Sequence, residues 1–564
     1  MFRMLLISLG IMPLTLFAAD AATNAANFGM MTLLPPLIAI ALAFITKNVI
    51  FSLFLGVFSG TFLLSVTGNN VFIALIKGFV DITSRIINSM ADSWNAGIML
   101  QVLAIGGVVA LITRMGGTRA VAEYLATKAK SRVSAQISTW VMGLFVFFDD
   151  YANALIVGPI MRPITDKYKI SREKLAFIID ATAAPIAGIA IVSTWVGYEL
   201  SLIKDAYGLI EITNINAFAI FVETIPYRFY NLFMLAFVVY TAVMQREFGP
   251  MYHAEVRAHK TGAVSSERAK TFINTEDKTL EPKEGIKLSV WNALIPLVVL
   301  ILGAFIGFYF NGYGGLEGDV LKAVDAAPLS FYAIRETFGS ADASVVLFQA
   351  ALFSSIVAMV MGIGRGIFDL SEAIETWLKG WKSMIITIVI LLLAWSLSSV
   401  IKELGTSKYL VDMLSTSIPK MALPAAIFIL GSFISFSTGT SYGTMGILMP
   451  LAIPLANAIG LQSGLEGDAL HTYMIMNIGS VLTGAIFGDH CSPISDTTIL
   501  SSMGSSCDHI DHVRTQIIYA LAVGVLTIVV GYLPVAVGVS VSLVLPLGLF
   551  ATFLLVRFVG KKVI

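Results

Sequence analysis

The chain has 564 residues, 57% of them hydrophobic and 13% charged, with basic and acidic residues in balance at a net charge of zero. That balance excludes a basic nucleic-acid footprint, and two cysteines, Cys491 and Cys507, exclude a disulfide framework in a chain of this length. The apolar residues fall in runs of roughly 16 to 24 between polar loops, so the chain reads as an all-α polytopic membrane protein, because helices satisfy their own backbone in lipid.

From the N-terminus, residues 1–21 carry one arginine, an apolar stretch and a small-residue end at Ala19-Asp20-Ala21. They read as a secretory signal peptide, with an uncleaved first span as the alternative. Spans are expected near 30–45, 48–66, 97–113, 175–198, 228–248, 288–310, 343–363, 384–401, 472–488, 515–533 and 536–556. Two further segments, 133–163 and 421–456, behave differently. The first lies between Arg114, Arg119, Lys128, Lys130 and Arg132 on one side and Arg162, Lys167, Lys169, Arg172 and Lys174 on the other, so the positive-inside rule puts both its ends in the cytoplasm. Its arms, about 15 residues each, reach about 22 Å, short of a ~30 Å hydrocarbon core. It reads as a re-entrant hairpin with its tip at "FFDDYAN" (147–153), and two full spans joined outside are the alternative.

With that hairpin in place, the basic loops around Lys47, 245–287, Arg365 to Lys382 and the Lys561-Lys562 tail fall inside, while 199–227, 311–342 and 457–471 fall outside. Lys402, Lys408 and Lys420 do not fit this scheme.

The chain also repeats itself. Laying 151–163 on 442–454 matches Tyr151 with Tyr442, Pro159 with Pro450 and Pro163 with Pro454; upstream, Gly117-Thr118 matches Gly405-Thr406 and Trp94 falls near Trp381. Each matched span points the opposite way, which makes an inverted structural repeat with two re-entrant hairpins and broken transmembrane helices. The expected organisation is a first repeat at 22–248 (hairpin 133–163), a solvated cytoplasmic linker at 249–287, a second repeat at 288–534 (hairpin 421–456), and an extra span with a cytoplasmic tail at 535–564.

Inverted repeats with interrupted helices are the architecture of secondary transporters, whose sites lie near the midplane. Four non-helical patches should converge there: the tips "FFDDYAN" and "SFSTGTSYGT" (435–444), and the breaks "STWVGYE" (193–199) and "GDHCSPISDTT" (488–498). Their oxygen-rich chemistry suits a hard cation such as Na+. Asp149, Asp150, Asn153, Asp489, Asp496, Thr438, Thr440 and Ser441 are the candidate ion ligands, because a carboxylate at bilayer depth is costly without a proton or partner. Ser193, Thr194, Trp195, Tyr198, Ser437, Thr444, His490, Ser492 and Thr497 are candidates to line a pocket for a small organic solute. Asp496 is expected to cap a half-helix beginning at Thr497.

Asp180, six residues from Lys174, reads equally as interfacial, and His490 equally as a proton carrier or a structural histidine. Cys491, Cys507, His509 and His512 form no known closed zinc pattern. "CDHIDHVRTQ" reads instead as a helix start on the cytoplasmic side. No nucleophile, base and orienter set marks an enzyme.

"FFDDYANALIVGP" and "FGDHCSPISDTTILSS" with the following "CDHIDHVRTQ" resemble the signature segments of the NhaC-type sodium/proton antiporter family, within the ion-transporter superfamily of hairpin-containing carriers. The likeness runs from about residue 90 to 530. The resemblance implies a two-hairpin inverted-repeat fold and Na+-linked transport in a bacterial inner membrane. Relatives in that superfamily include exchangers and carriers of carboxylic or amino acids, and many are homodimers. Na+ and protons, with or without an organic solute, are the expected partners, together with the lipid bilayer. No cofactor is implied.

Overall fold

The computed structural model describes residues 21–46, 48–66, 69–147, 150–191, 193–266, 282, 285–414 and 418–563. The expected signal peptide, apart from Ala21, and Asp149 lie outside the described residues. The chain is an all-α polytopic membrane protein. Among the described residues nine helices are long and apolar enough to cross a membrane, or ten if the pair Ala217–Tyr227 and Phe229–Met244, bent by 48°, is one span.

The inverted repeat is visible in element order. The first copy runs Leu34–Thr46, Val49–Val66, Val71–Ala91, Ser93–Arg114 and Gly117–Ala126, then a hairpin (Arg132–Phe145 and Asp150–Lys167), a broken span (Arg172–Asp180 and Val196–Gly208) and Phe229–Met244. The second runs Trp291–Tyr313, Ala343–Gly364, Leu370–Ser383, Ile385–Leu404 and Thr406–Leu414, then its own hairpin (Leu423–Thr438 and Ser441–Gln462), broken span (Gly467–Cys491 and Asp496–Ser505) and His509–Leu526. Val541–Val559 follows as the extra span. Val71–Ala91 and Leu370–Ser383 are matching helices that hydropathy runs alone do not reveal, because charges such as Lys77, Asp81 and Arg85 interrupt the first and Glu372, Glu375 and Lys379 the second.

The second hairpin turns for a local reason. Gly439 ends its first arm in the left-handed region at φ +68°, and extended Thr440 starts the return arm. The return arms carry prolines in register, Pro159 and Pro163 in one and Pro450 and Pro454 in the other.

The breaks differ from expectation in extent. The single span expected at 175–198 is two helices, ending at Asp180 and resuming at Val196, with only the short turn Ala184–Ala187 between. Pro185 has no N–H to give, and the carbonyls freed around it find side chains: Asn231 donates to Pro185 O at 2.8 Å, Ser193 to Ala187 O at 3.0 Å and Arg228 to Gly188 O. The second break is shorter than expected. Gly488, Asp489 and His490 are still helical, the helix ends at Cys491, and only 492–495 around Pro493 interrupt it.

Small residues let these pieces meet closely. A Cβ at Gly488 would lie 2.4 Å from Phe436 N and Ser432 O, so the second hairpin's first arm is seated directly on the broken span. The first hairpin reaches across to the other repeat, where a Cβ at Gly158 would lie 2.5 Å from the backbone of Gly504. The second hairpin reciprocates, with Gly446 against the Tyr198 hydroxyl.

The segment expected to be a solvated linker begins as the helix Gly249–Thr261, with Met251, Ala254, Glu255 and Ala258 buried. Glu255 accepts hydrogen bonds from Arg132 and, at 2.7 Å, from Ser171 N, which fastens the hairpin base to the broken span. Arg246 and Glu247 pair antiparallel with Lys562 and Lys561, so the tail joins the junction between the repeats.

Candidate functional site

The second hairpin tip and the second break meet around Asp489. Its Oδ2 accepts from Ser441 Oγ at 2.7 Å, and its Oδ1 accepts from Ser495 Oγ at 2.7 Å, which is itself 2.9 Å from Thr497 Oγ1. Asp489 is 4% exposed; the acidic groups that act on it include Asp150, on the first hairpin, and Asp496, and it interacts in turn with Asp180. Asp150 from the first half and Asp496 from the second thus act electrostatically on a carboxyl that two serine hydroxyls hold. Asp489 also lies in the last turn of its half-helix, where the unsatisfied carbonyls of a helix C-terminus favour a cation.

The tip is wired to the break by its own backbone. Ser492 donates to Phe436 O at 2.7 Å and Ser435 to Ala485 O at 2.5 Å, while Ser441 Oγ, whose hydrogen goes to Asp489, lies 3.2 Å from Ala485 O. Thr438 and Thr444 spend their hydroxyl hydrogens on Ile434 O (2.9 Å) and Thr440 O (3.0 Å), one turn back on the chain. Thr440 and Ser437 are half-buried at the tip.

At the first tip, Asp150 is buried in the opening turn of the return arm. Asn153 donates to Gly143 O at 2.9 Å and to Thr182 O at 2.6 Å, so its amide nitrogen holds the hairpin to the first break.

The local geometry at three groups of candidates differs from the expected one, and the bond of His490 to Tyr230 fits its structural alternative. Asp496 does not cap the half-helix: Ser495 is the N-cap residue, and Asp496 is an exposed residue of the first turn, where the helix N-terminus favours its charge. His490 does not face the second hairpin tip; its Nδ1 bonds Tyr230 OH at 2.7 Å, and its ring packs near Phe177 and Tyr230. Trp195 and Tyr198 are closed over rather than lining an open pocket. Tyr198 donates to Tyr442 O, the Tyr198 and Tyr442 rings meet edge to face at 4.6 Å, and Trp195 lies 5.0 Å from Tyr442. Ser193 and Thr194 are buried in the same contact, with Tyr442 OH 3.5 Å from Thr194 O.

Two ion pairs buried between elements carry no signal of their pairing in the sequence, and Asp180, which reads equally as interfacial, is buried as well. Arg228 pairs with Glu199 at 2.7 Å, both fully buried, where the span bends. Lys174 pairs with Glu247 at 2.9 Å and donates to Thr241 Oγ1 at 2.7 Å. Asp180 accepts from Gln516 Nε2 at 2.6 Å. An ionisable residue inside a span is the available signal, but each partner lies on a different element, and Glu199 and Arg228 stand at the edges of what the charge rule makes an outside loop.

The profile described as the Na+/H+ antiporter family matches residues 186–537. An uncharacterized protein of Haemophilus influenzae is 34% identical over 508 residues, which is 89% of this chain and 91% of that protein. The malate-2H+/Na+-lactate antiporter of Bacillus subtilis is 31% identical over 185 residues, covering 32% of this chain and 36% of its own length. The crystal structure of the Alcanivorax borkumensis YdaH transporter, described as having an unusual topology, superposes with a TM-score of 0.53 at 13% identity, over 83% of this chain and 90% of that one, a likeness of fold. The family match over most of the chain, read with the hairpin tips and breaks that meet at Asp489, shows that the chain belongs to the Na+/H+ antiporter family.

Proposed function

We propose that this secondary transporter exchanges Na+ for H+ across a bacterial inner membrane, with Asp489 as the carboxylate that binds Na+. The observation that carries the reading is the buried Asp489 carboxyl held by two hydroxyls, Ser441 from the hairpin tip and Ser495 from the break. A hydroxyl that donates to an empty carboxylate can rotate and present its lone pairs once a cation arrives, so the same atoms serve both states. Asp150 and Asp496 add negative charge at the mouth of the site, and Thr440 and the carbonyls of the tip supply further oxygens. No covalent chemistry is required of any residue, and the machinery is that of a carrier rather than an enzyme.

A second reading rests on the Bacillus relative, whose name couples Na+ and protons to malate and lactate. On that reading a small carboxylic or amino acid travels with or against Na+, and opening of the Tyr442 contact uncovers Ser193, Thr194, Trp195 and Tyr198 as its lining. The purified chain in proteoliposomes, with internal pH read on Na+ addition in the presence and absence of candidate acids, separates the two. A pH change driven by Na+ alone supports antiport of the two ions, a change that requires the acid supports the second reading, and no Na+ dependence in either condition rejects both.

A further inference from the structure

A second buried carboxyl ends the half-helix before the first repeat's break, as Asp489 lies in the last turn before the second's, and its partners are of another kind. Asp180, the last residue of the half-helix Arg172–Asp180, is fully buried. Gln516 Nε2 donates to Asp180 Oδ2 at 2.6 Å and also to the carbonyl of His490, the residue after Asp489. Those two acceptors fix the amide orientation, because a reversed amide would set its oxygen against a carbonyl. Gln516 Oε1 is then an acceptor, and His512 Nε2, 2.8 Å away, must donate to it. The same His512 Nε2 lies 3.8 Å from Asp180 Oδ2.

The hydrogens can be counted outward from there. With Nε2 a donor, the Nδ1 of a neutral His512 is an acceptor, 2.8 Å from Ser502 Oγ. His509 Nε2 lies 2.7 Å from Pro493 O and so also donates, which leaves the Nδ1 of a neutral His509 as a second acceptor, 3.0 Å from the same Ser502 Oγ. Thr498 O is a third acceptor, at 2.7 Å. One hydroxyl hydrogen thus faces three acceptors, and a single added proton, placed on His509 Nδ1, turns one of them into a donor to Ser502 Oγ. His509 is half-exposed, on the side where Arg162 donates to Ser506 Oγ and Arg172 donates to Ser505 O, which is the side of the basic loops.

On the reading of the chain as a Na+/H+ antiporter, we propose that Asp180 is its proton-binding site, distinct from the cation site at Asp489 and filled from the cytoplasm through His509, Ser502 and His512. The transfer balances without any co-reactant. His509 Nδ1–H passes to Ser502 Oγ, the hydroxyl hydrogen of Ser502 passes to His512 Nδ1, and His512 Nε2–H, which rests on Gln516 Oε1, passes to Asp180 Oδ2 once the ring swings across the 3.8 Å between them, leaving both imidazoles neutral. Other titratable groups acting on the cluster are Asp489, Cys491 and Tyr230 around Asp180, and His490 beside His512. Lys174, on the same half-helix as Asp180, is already paired with Glu247. Coupling follows from charge: a proton on Asp180 removes one of the negative charges that, with Asp150 and Asp496, act on Asp489 and draw Na+ there, so proton and Na+ binding oppose one another.

The test uses the full chain in proteoliposomes with two readouts, exchange of radioactive Na+ against unlabelled Na+, which needs no net proton movement, and Na+-driven proton flux. Asp180→Asn, which holds the site in its neutral form, is expected to lose proton flux by about 100-fold, the range of a positioned proton-transfer group, while Na+/Na+ exchange persists at a raised Na+ concentration for half-maximal exchange. His509→Gln is expected to slow proton flux, enlarge its solvent deuterium isotope effect and leave Na+/Na+ exchange unchanged. Equal loss of both readouts in folded Asp180→Asn would assign Asp180 to the cation site and overturn the proposal, as would unchanged proton flux in His509→Gln, which decides alone if Asp180→Asn does not fold. Wild-type protein without Na+/Na+ exchange would instead remove the Na+/H+ reading itself.

Discussion

Asp180 and Asp489 each stand in the final turn of the half-helix that runs into their repeat's break, the first half-helix stopping earlier in its repeat than the second, yet one meets an amide and an imidazole and the other meets two serines. Each repeat thus places a carboxyl just before its break, while the chemistry around the two differs. Serine hydroxyls can turn from donating to accepting, as a cation demands, whereas the Gln516 Nε2 group is fixed as a donor and offers a cation nothing. An imidazole, in turn, passes protons and makes a poor ligand for a hard ion. The difference teaches that a repeat can supply two unlike sites from one backbone plan.

The strongest way to break this comparison is on stability. Arg228→Met leaves Glu199 buried and unpaired, a loss of about 3 to 5 kcal/mol, so this variant should fail to accumulate as folded protein. Combining it with Glu199→Met should restore much of the yield, as read by size-exclusion profile and thermal unfolding in detergent. Failure of the double variant to recover would mean that the pair does more than hold the bend.

Next in size is Asp489→Asn. The amide keeps an oxygen for one serine, so the fold should persist, while Na+-dependent transport should fall by about 100-fold or more, a loss of about 2.7 kcal/mol or more in cation binding. Radioactive Na+ uptake into proteoliposomes reads it directly, and uptake near wild type would remove Asp489 from the cation site. The smallest effect belongs to Ser441→Ala, which takes away one of two hydroxyl partners. Na+ affinity should fall by roughly 10-fold with the maximal rate kept, in line with the ~1.5 kcal/mol of a hydrogen bond to a charged group. No change in the Na+ concentration for half-maximal transport would show that the hydroxyl never meets the ion.

Much of the frame was legible because it is written locally. Pro159 and Pro163 recur as Pro450 and Pro454 in the return arms, and Gly439 with Thr440 breaks the second hairpin within a two-residue stretch that needs no distant partner. Opposed charge loops gave the inverted orientation. What stayed hidden depends on contacts between segments far apart in the chain. Asp180 and Gln516 are 336 residues apart, and nothing around either names the other. Glu255 sits in a stretch whose composition reads as solvated, yet Arg132 and the Ser171 N–H bury it. Hydropathy also misplaced the second break by four residues, since Pro493 ends the helix only at Cys491 and leaves Asp489 on a regular turn. Asp149 falls outside the described residues, and only Asp150 of that acidic pair enters the description.

The bond between Asp180 and Gln516 also has a consequence for how the molecule is made. At about 5 to 20 residues per second, the ribosome needs roughly 20 to 70 s to add the 336 residues that separate them. For that interval the first repeat lies in the membrane with its half-helix end, its Gly158 seam and its Asp180 carboxyl lacking the elements that later cover them. Biosynthesis of this chain thus has a vulnerable window that opens when the first broken span inserts and closes only with the arrival of His509–Leu526. A chain truncated between the repeats should be a substrate for membrane quality-control proteolysis rather than a stable half-transporter.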